Sequence, residues 1–327
     1  PEALLRPTSG DEGQGPRAVE PRPGGSLILG HYSGALSTVT PGAKGAEPAR
    51  SSEAMALEPI MDMVVDPDGG VYCAGAQSQV TYVRRLGRRS TVLTSTARSI
   101  LAGGGGPGLG GPVRSGAGAV GGEADDAVPR AVARGLVMPW GLALSADGRT
   151  LVCTQLMSCH LWAWDRDPST GSLSNFRIWA ELPGAFCSGL CLDAEGCAWV
   201  AVTSSRNDSI SWNCLAGGPA AQQYLKWSLG LRTLPGGFVR VRQGGKVLQR
   251  LLLRDRVALG CALGGPDGRT LFLAVAQGNL RELRETYEPG NSSVWAVRVQ
   301  VGAATGTDGP ADAAAAARLS AGTRSRL

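Results

Sequence analysis

One phrase constrains this chain more than any other feature, because it occurs four times. It reads as a short apolar strand, a tight polar turn and a second apolar strand, at Met61–Tyr72, Gly141–Leu151, Leu190–Trp199 and Leu263–Phe272. Turns fall at Asp68-Gly69, Asp147-Gly148, Glu195-Gly196, Gly244-Gly245 and Asp267-Gly268. Strands that alternate with such turns pair as antiparallel meanders, and a meander that recurs stacks on its own copies. Asp147 and Glu195 stand 48 residues apart. That step suits one four-stranded blade of a β-propeller. The 79 residues from Asp68 to Asp147 shorten to a similar step once a glycine-rich insert is removed.

The insert is one of several segments that cannot bury enough apolar surface to order themselves. Residues 1–25, 102–127 and the tail 302–327 are expected to be low-complexity, which leaves an all-β propeller over 26–301. Segment 25–39 reads as outer strands of a blade ahead of Met61. A second insertion, 204–235, holds a helix-like run from Ala220 to Trp227 and reads as a surface excursion or a lid.

Composition excludes some partners. The net charge of +5 comes mostly from arginine, with Lys44, Lys226 and Lys246 the only lysines. No basic stripe interleaves with aromatics, so no nucleic acid is expected. The run Arg84–Arg89 reads as a solvated loop. No apolar stretch approaches the ~20 residues of a membrane helix, so no membrane is expected.

The eight cysteines show no metal-ligand rhythm, and the only histidines are His31 and His160. Cys153, Cys191 and Cys261 sit in apolar strands and read as small buried hydrophobes. This usage suits a reducing compartment, where the sequons at Asn207 and Asn291 carry no weight. The C-terminal Ser325-Arg326-Leu327 resembles a peroxisomal address, so the expected location is cytoplasmic or peroxisomal. The chain begins with Pro1, which leaves any N-terminal signal unassessed.

The innermost strands of a propeller surround one channel, so their starts converge on one mouth. Met61-Asp62, Pro139-Trp140-Gly141 and Cys187-Ser188-Gly189 are expected there.

The repeats resemble the senescence-marker-protein, gluconolactonase and luciferin-regenerating-enzyme family of six-bladed, regucalcin-like propellers. The likeness rests on Met63–Asp66, Gly141–Leu151, Gly171–Asn175, Gly189–Gly196 and Leu263–Phe272. A more distant resemblance is to strictosidine-synthase-like propellers. The first resemblance implies a six-bladed ring from which this chain lacks the first blade. It also implies a metal-dependent lactone hydrolase with one calcium or zinc ion at the mouth, held by a Glu, an Asn and an Asp. The ion polarises the lactone carbonyl, and the Asp is the general base.

Carried across, the pattern puts the family's first Asn on Met61, its second Asn on Trp140 and its Asp on Ser188; the ligand Glu belongs to the first blade. Asp62 survives beside Met61 and is expected to anchor a turn. A thioether, an indole and a neutral hydroxyl do not replace hard oxygen ligands. Two readings follow: a lactonase with a degraded metal site, or a non-catalytic propeller that binds a small molecule or protein partner at the mouth. A serine nucleophile at Ser188 would need a base, and His160 reads as an ordinary strand histidine. The substrate, any resident cofactor and the oligomeric state are not legible.

Overall fold

The computed structural model describes residues 18–21, 26–31, 33–40, 49–55, 58–75, 78–84, 129–136, 138–156, 159–183, 185–204, 236–253, 256–277 and 292–304. Five antiparallel sheets are built from strands in sequence order. The first comprises β1 (Ala18–Pro21), β2 (Leu27–Gly30), β3 (Ala35–Thr40) and β4 (Ala49–Met55). The second comprises β5 (Ile60–Val65), β6 (Val71–Gly75), β7 (Gln79–Val83) and β8 (Arg130–Arg134). The third holds β9 (Pro139–Leu144), β10 (Thr150–Gln155), β11 (His160–Arg166) and β12 (Leu173–Glu181). The fourth holds β13 (Ala185–Leu192), β14 (Ala198–Ser204), β15 (Gly237–Val241) and β16 (Val247–Leu252). The last has β17 (Arg256–Gly264), β18 (Thr270–Gln277) and β19 (Ser292–Arg298). Strands β1, β5, β9, β13 and β17 each pack on the next, so they are the inner strands of an all-β propeller.

Each apolar cluster lies between two neighbouring sheets. Ile28 and Leu36 of the first sheet meet Ile60 and Met63 of the second. Tyr72 and Tyr82 meet Leu151 and Trp164. Val152 and Leu161 meet Val200 and Val239, and Trp199 and Phe238 meet Leu271 and Val275. Alternation along each strand feeds one cluster on either side, which is why the repeated phrase alternates so regularly.

Three expectations from sequence need correction. Ala18–Pro21, placed in the low-complexity N-terminus, is an inner strand, and the segment read as outer strands supplies β2 and β3, the centre of a complete sheet. The turn at Gly244-Gly245 joins β15 to β16, an outer hairpin of the fourth sheet rather than the start of a new repeat. The propeller also reaches past residue 301, because the Gly302 carbonyl accepts from Ala194 N–H at 2.9 Å and Ala303 N–H donates to Gly268 O at 2.9 Å. Insertion 102–127, the run 220–227 and Ser325–Leu327 lie outside the described residues.

The turns explain the repeat chemically. Asp66 Oδ1 accepts the amides of Asp68 and Gly70 at 2.9 and 2.8 Å, and Asp193 Oδ1 accepts those of Glu195 and Cys197 at 2.9 and 3.0 Å. The second carboxylate oxygen is satisfied from the third strand, at matched register. Tyr82 lies opposite Tyr72 and donates to Asp66 Oδ2 at 2.8 Å; Arg240 lies opposite Trp199 and donates to Asp193 Oδ2 at 2.6 Å. Where the turn begins with Ser145 or Gly265, the matching third-strand residues are apolar, Trp164 and Val297. A buried carboxylate requires donors and a hydroxyl or glycine does not, so turn and partner vary together. Asp66 gains one further donor, Arg166 of the third sheet, at 2.6 Å.

Candidate functional site

Each inner strand from β5 to β17 carries one extra residue relative to its partner. The register slips by one between Ile60 and Asp62, between Pro139 and Leu142, between Cys187 and Leu190, and between Ala258 and Gly260. A β-bulge bends a strand and re-aims a side chain, and bulges concentrate beside functional sites. The four lie at one level. In the first three strands the level lies five residues before the first turn residue (Asp66, Ser145, Asp193), at Met61, Trp140 and Ser188; on β17 the extra residue is Leu259, six before Gly265. Three of these are the positions expected at the mouth. Leu259 is the fourth, and it stands one residue off the count that the other three share.

Met61, Trp140 and Leu259 are partly exposed, whereas Ser188 is buried. The Ser188 hydroxyl is directed at backbone carbonyls, Ala258 O at 3.0 Å and Ala201 O at 3.3 Å. Thr154 closes the other side: its hydroxyl accepts Gly141 N–H at 2.8 Å and donates to Ser188 O at 2.5 Å. Ser188 therefore stitches β13 to β17, and the described contacts of its hydroxyl are carbonyls rather than an imidazole. His160 is paired across the sheet with Glu181, 3.7 Å away.

One residue further along each strand stand Asp62, Gly141, Gly189 and Gly260. A Cβ on Gly141 would lie 2.8 Å from Ser188 O, and one on Gly189 would lie 2.6 Å from the Gly260 Cα. Inner strands β9, β13 and β17 thus approach through glycine. Asp62 is the exception. Its carboxylate occupies the gap between β5 and β9, where Oδ2 accepts Leu142 N–H at 2.9 Å. It braces the neighbouring inner strand, and the expectation that it anchors a turn is corrected; Asp66 does that.

Asp62 keeps part of its surface accessible, yet its surroundings are those of an interior group. Burial pushes its carboxyl up to about 7, against the opposing pull of the Leu142 and Met63 amides. A carboxyl with a raised folded-state pKa binds protons in the native protein that the unfolded chain has already lost. Its contribution to stability therefore falls as pH rises from about 4 to about 7, then levels off. Asp62→Asn is expected to flatten that fall and to raise stability at about pH 8 by on the order of 1–3 kcal/mol. Urea melts at about pH 5 and about pH 8 measure it.

The cation implied by the resemblance does not fit the residues present. The level offers a thioether, an indole, an aliphatic side chain and a hydroxyl committed to carbonyls, with Asp62 as its carboxylate. Among the described residues, no three His, Cys, Asp or Glu side chains converge to hold a metal ion. Hard cations take several oxygen ligands, usually charged ones.

Residues 114–210 match the family model of the SMP-30/Gluconolactonase/LRE-like region. No curated protein matches the chain. Among solved structures, a luciferin-regenerating enzyme superposes with a TM-score of 0.54 at 15% identity, covering 89% of this chain and 80% of that one. Regucalcin from Agrobacterium tumefaciens strain C58, described as a calcium-binding protein, gives 0.55 at 13% identity, covering 87% and 76%. A third, assigned as a gluconolactonase, gives 0.50 at 14%, covering 88% and 74%. These likenesses show the fold, a β-propeller, and residues 114–210 are similar to the SMP-30/gluconolactonase/LRE-like region.

Proposed function

We propose that this chain carries a lactonase-type site that has lost its cation ligands and binds a small lactone-like molecule without metal-dependent hydrolysis. Six blades belong to the same proposal, five sheets being described. One observation supports the reading above the others: the bulge positions are Met61, Trp140, Ser188 and Leu259. An aromatic ring, a thioether and a leucine beside one carboxyl suit a compact, weakly polar ring compound. Asp62, with its carboxyl near neutrality, supplies the polar contact to that ligand.

The test is tryptophan fluorescence of the full chain titrated with gluconolactone and a γ-lactone, beside Trp140→Phe. A saturable change in the unaltered protein, lost in Trp140→Phe while both melt alike, is the expected result. No saturable change with either lactone would overturn the reading.

A further inference from the structure

We propose that Cys191 and Cys261 form a redox-active dithiol that closes to a disulfide between two inner strands beside the candidate site. The two sulfurs lie 3.7 Å apart, one on β13 and the other on β17. Sequence reading took both residues for buried hydrophobes, but both are partly exposed, unlike the buried Cys73, Cys153, Cys159, Cys187 and Cys197. They are free thiols joined in one chain of contacts. Cys191 S–H donates to the Cys261 sulfur, and Cys261 S–H donates to Trp199 O at 3.3 Å.

The backbone allows the closure. Gly189 and Gly260, two positions before Cys191 and one before Cys261, bring the strands so close that a Cβ on Gly189 would lie 2.6 Å from the Gly260 Cα. A disulfide needs its sulfurs at about 2 Å, with Cβ atoms roughly 4 Å apart. Side-chain rotation between strands this close covers the remaining distance.

The co-reactant is a low-molecular-weight disulfide such as oxidised glutathione. The contact with Cys261 and burial hold the Cys191 thiol well above its usual range. Because Cys191 S–H donates to the Cys261 sulfur, that hydrogen bond steadies a thiolate on Cys261, and we assign the first attack to it. Its thiolate takes one sulfur of the oxidant and expels the other as a thiolate, which picks up a proton. Cys191, losing its own proton, then attacks the mixed disulfide at Cys261 and expels the second thiol. The protein loses two protons and two electrons, and one disulfide becomes two thiols. The bond fixes the spacing of β13 and β17, which carry Ser188 and Leu259.

The experiment treats the full chain with oxidised glutathione, alkylates remaining thiols after unfolding, and maps peptides by mass spectrometry. The expected product is a Cys191–Cys261 cross-linked peptide, removed by dithiothreitol and accompanied by a higher thermal midpoint. In Cys191→Ser, Cys261 should stop at the mixed disulfide with glutathione. Alkylation of both thiols in the treated protein would overturn the proposal. So would a glutathione adduct that persists on Cys261 in the unaltered chain, or pairing of either cysteine elsewhere.

Discussion

Replacing Asp66 with alanine is expected to destabilise the fold by about 3–5 kcal/mol, the cost of stranding one member of a buried ion pair. The Asp66 carboxylate is fully buried and the Arg166 side chain is 1% exposed. Asp66 Oδ1 holds its own turn through two amides, while Oδ2 takes the Tyr82 hydroxyl and the Arg166 guanidinium. Arg166 also reaches Tyr72 Oη at 3.1 Å and Gly148 O at 3.1 Å, so it clamps the second sheet to the third. Without Asp66 the guanidinium keeps Asp68 as its carboxylate among the described residues, 3.2 Å away and largely exposed. Urea unfolding measures the loss. The double variant Asp66→Ala/Arg166→Met should recover part of it, since no buried charge is then left unpaired. Equal stability of Asp66→Ala and the unaltered protein would show that the clamp is not structural.

Gly189→Ala is expected to cost about 1–3 kcal/mol, as overpacking between rigid elements does. Its new methyl would meet backbone, the Gly260 Cα at 2.6 Å and Leu259 O at 3.1 Å, and backbone cannot swing aside as a flexible side chain can. Gly260→Ala is the control. Its Cβ would find only the Gly189 Cα, at 3.9 Å, an ordinary contact. That variant should unfold within about 0.5 kcal/mol of the unaltered protein. A comparable loss in both would mean that the inner strands are held apart by something other than this glycine contact.

These effects also mark where sequence reading succeeds and fails. The second to fifth sheets were legible because each repeats a turn that its strands must flank, and a propeller follows from stacking them. The first sheet was read only in part: segment 25–39 was taken for outer strands, and β1 was missed because it spans four residues and carries no Asp-Gly turn. Met61, Trp140 and Ser188 were placed at the mouth as starts of inner strands, and the family resemblance then matched them to ligand positions. Leu259 was missed because Val257–Gly264 is one apolar run without a Pro or Asp to mark the level. The Asp66–Arg166 pair spans 100 residues and the Cys191–Cys261 pair spans 70. Neither separation leaves a local pattern; only the closure of neighbouring sheets brings such partners together. Asp62 was read beside a turn because its partner, Leu142 N–H, is a backbone group that no side-chain pattern announces.

Hydrolysis of gluconolactone and a simple γ-lactone by the folded protein, with calcium or zinc added and with a chelated control, decides whether the mouth works as a metal site. The bulge level of Met61, Trp140, Ser188 and Leu259 predicts no turnover above the chelated blank with either ion. Turnover that appears with a cation and vanishes on chelation would contradict the account, because a working metal site would then have to be built from other residues.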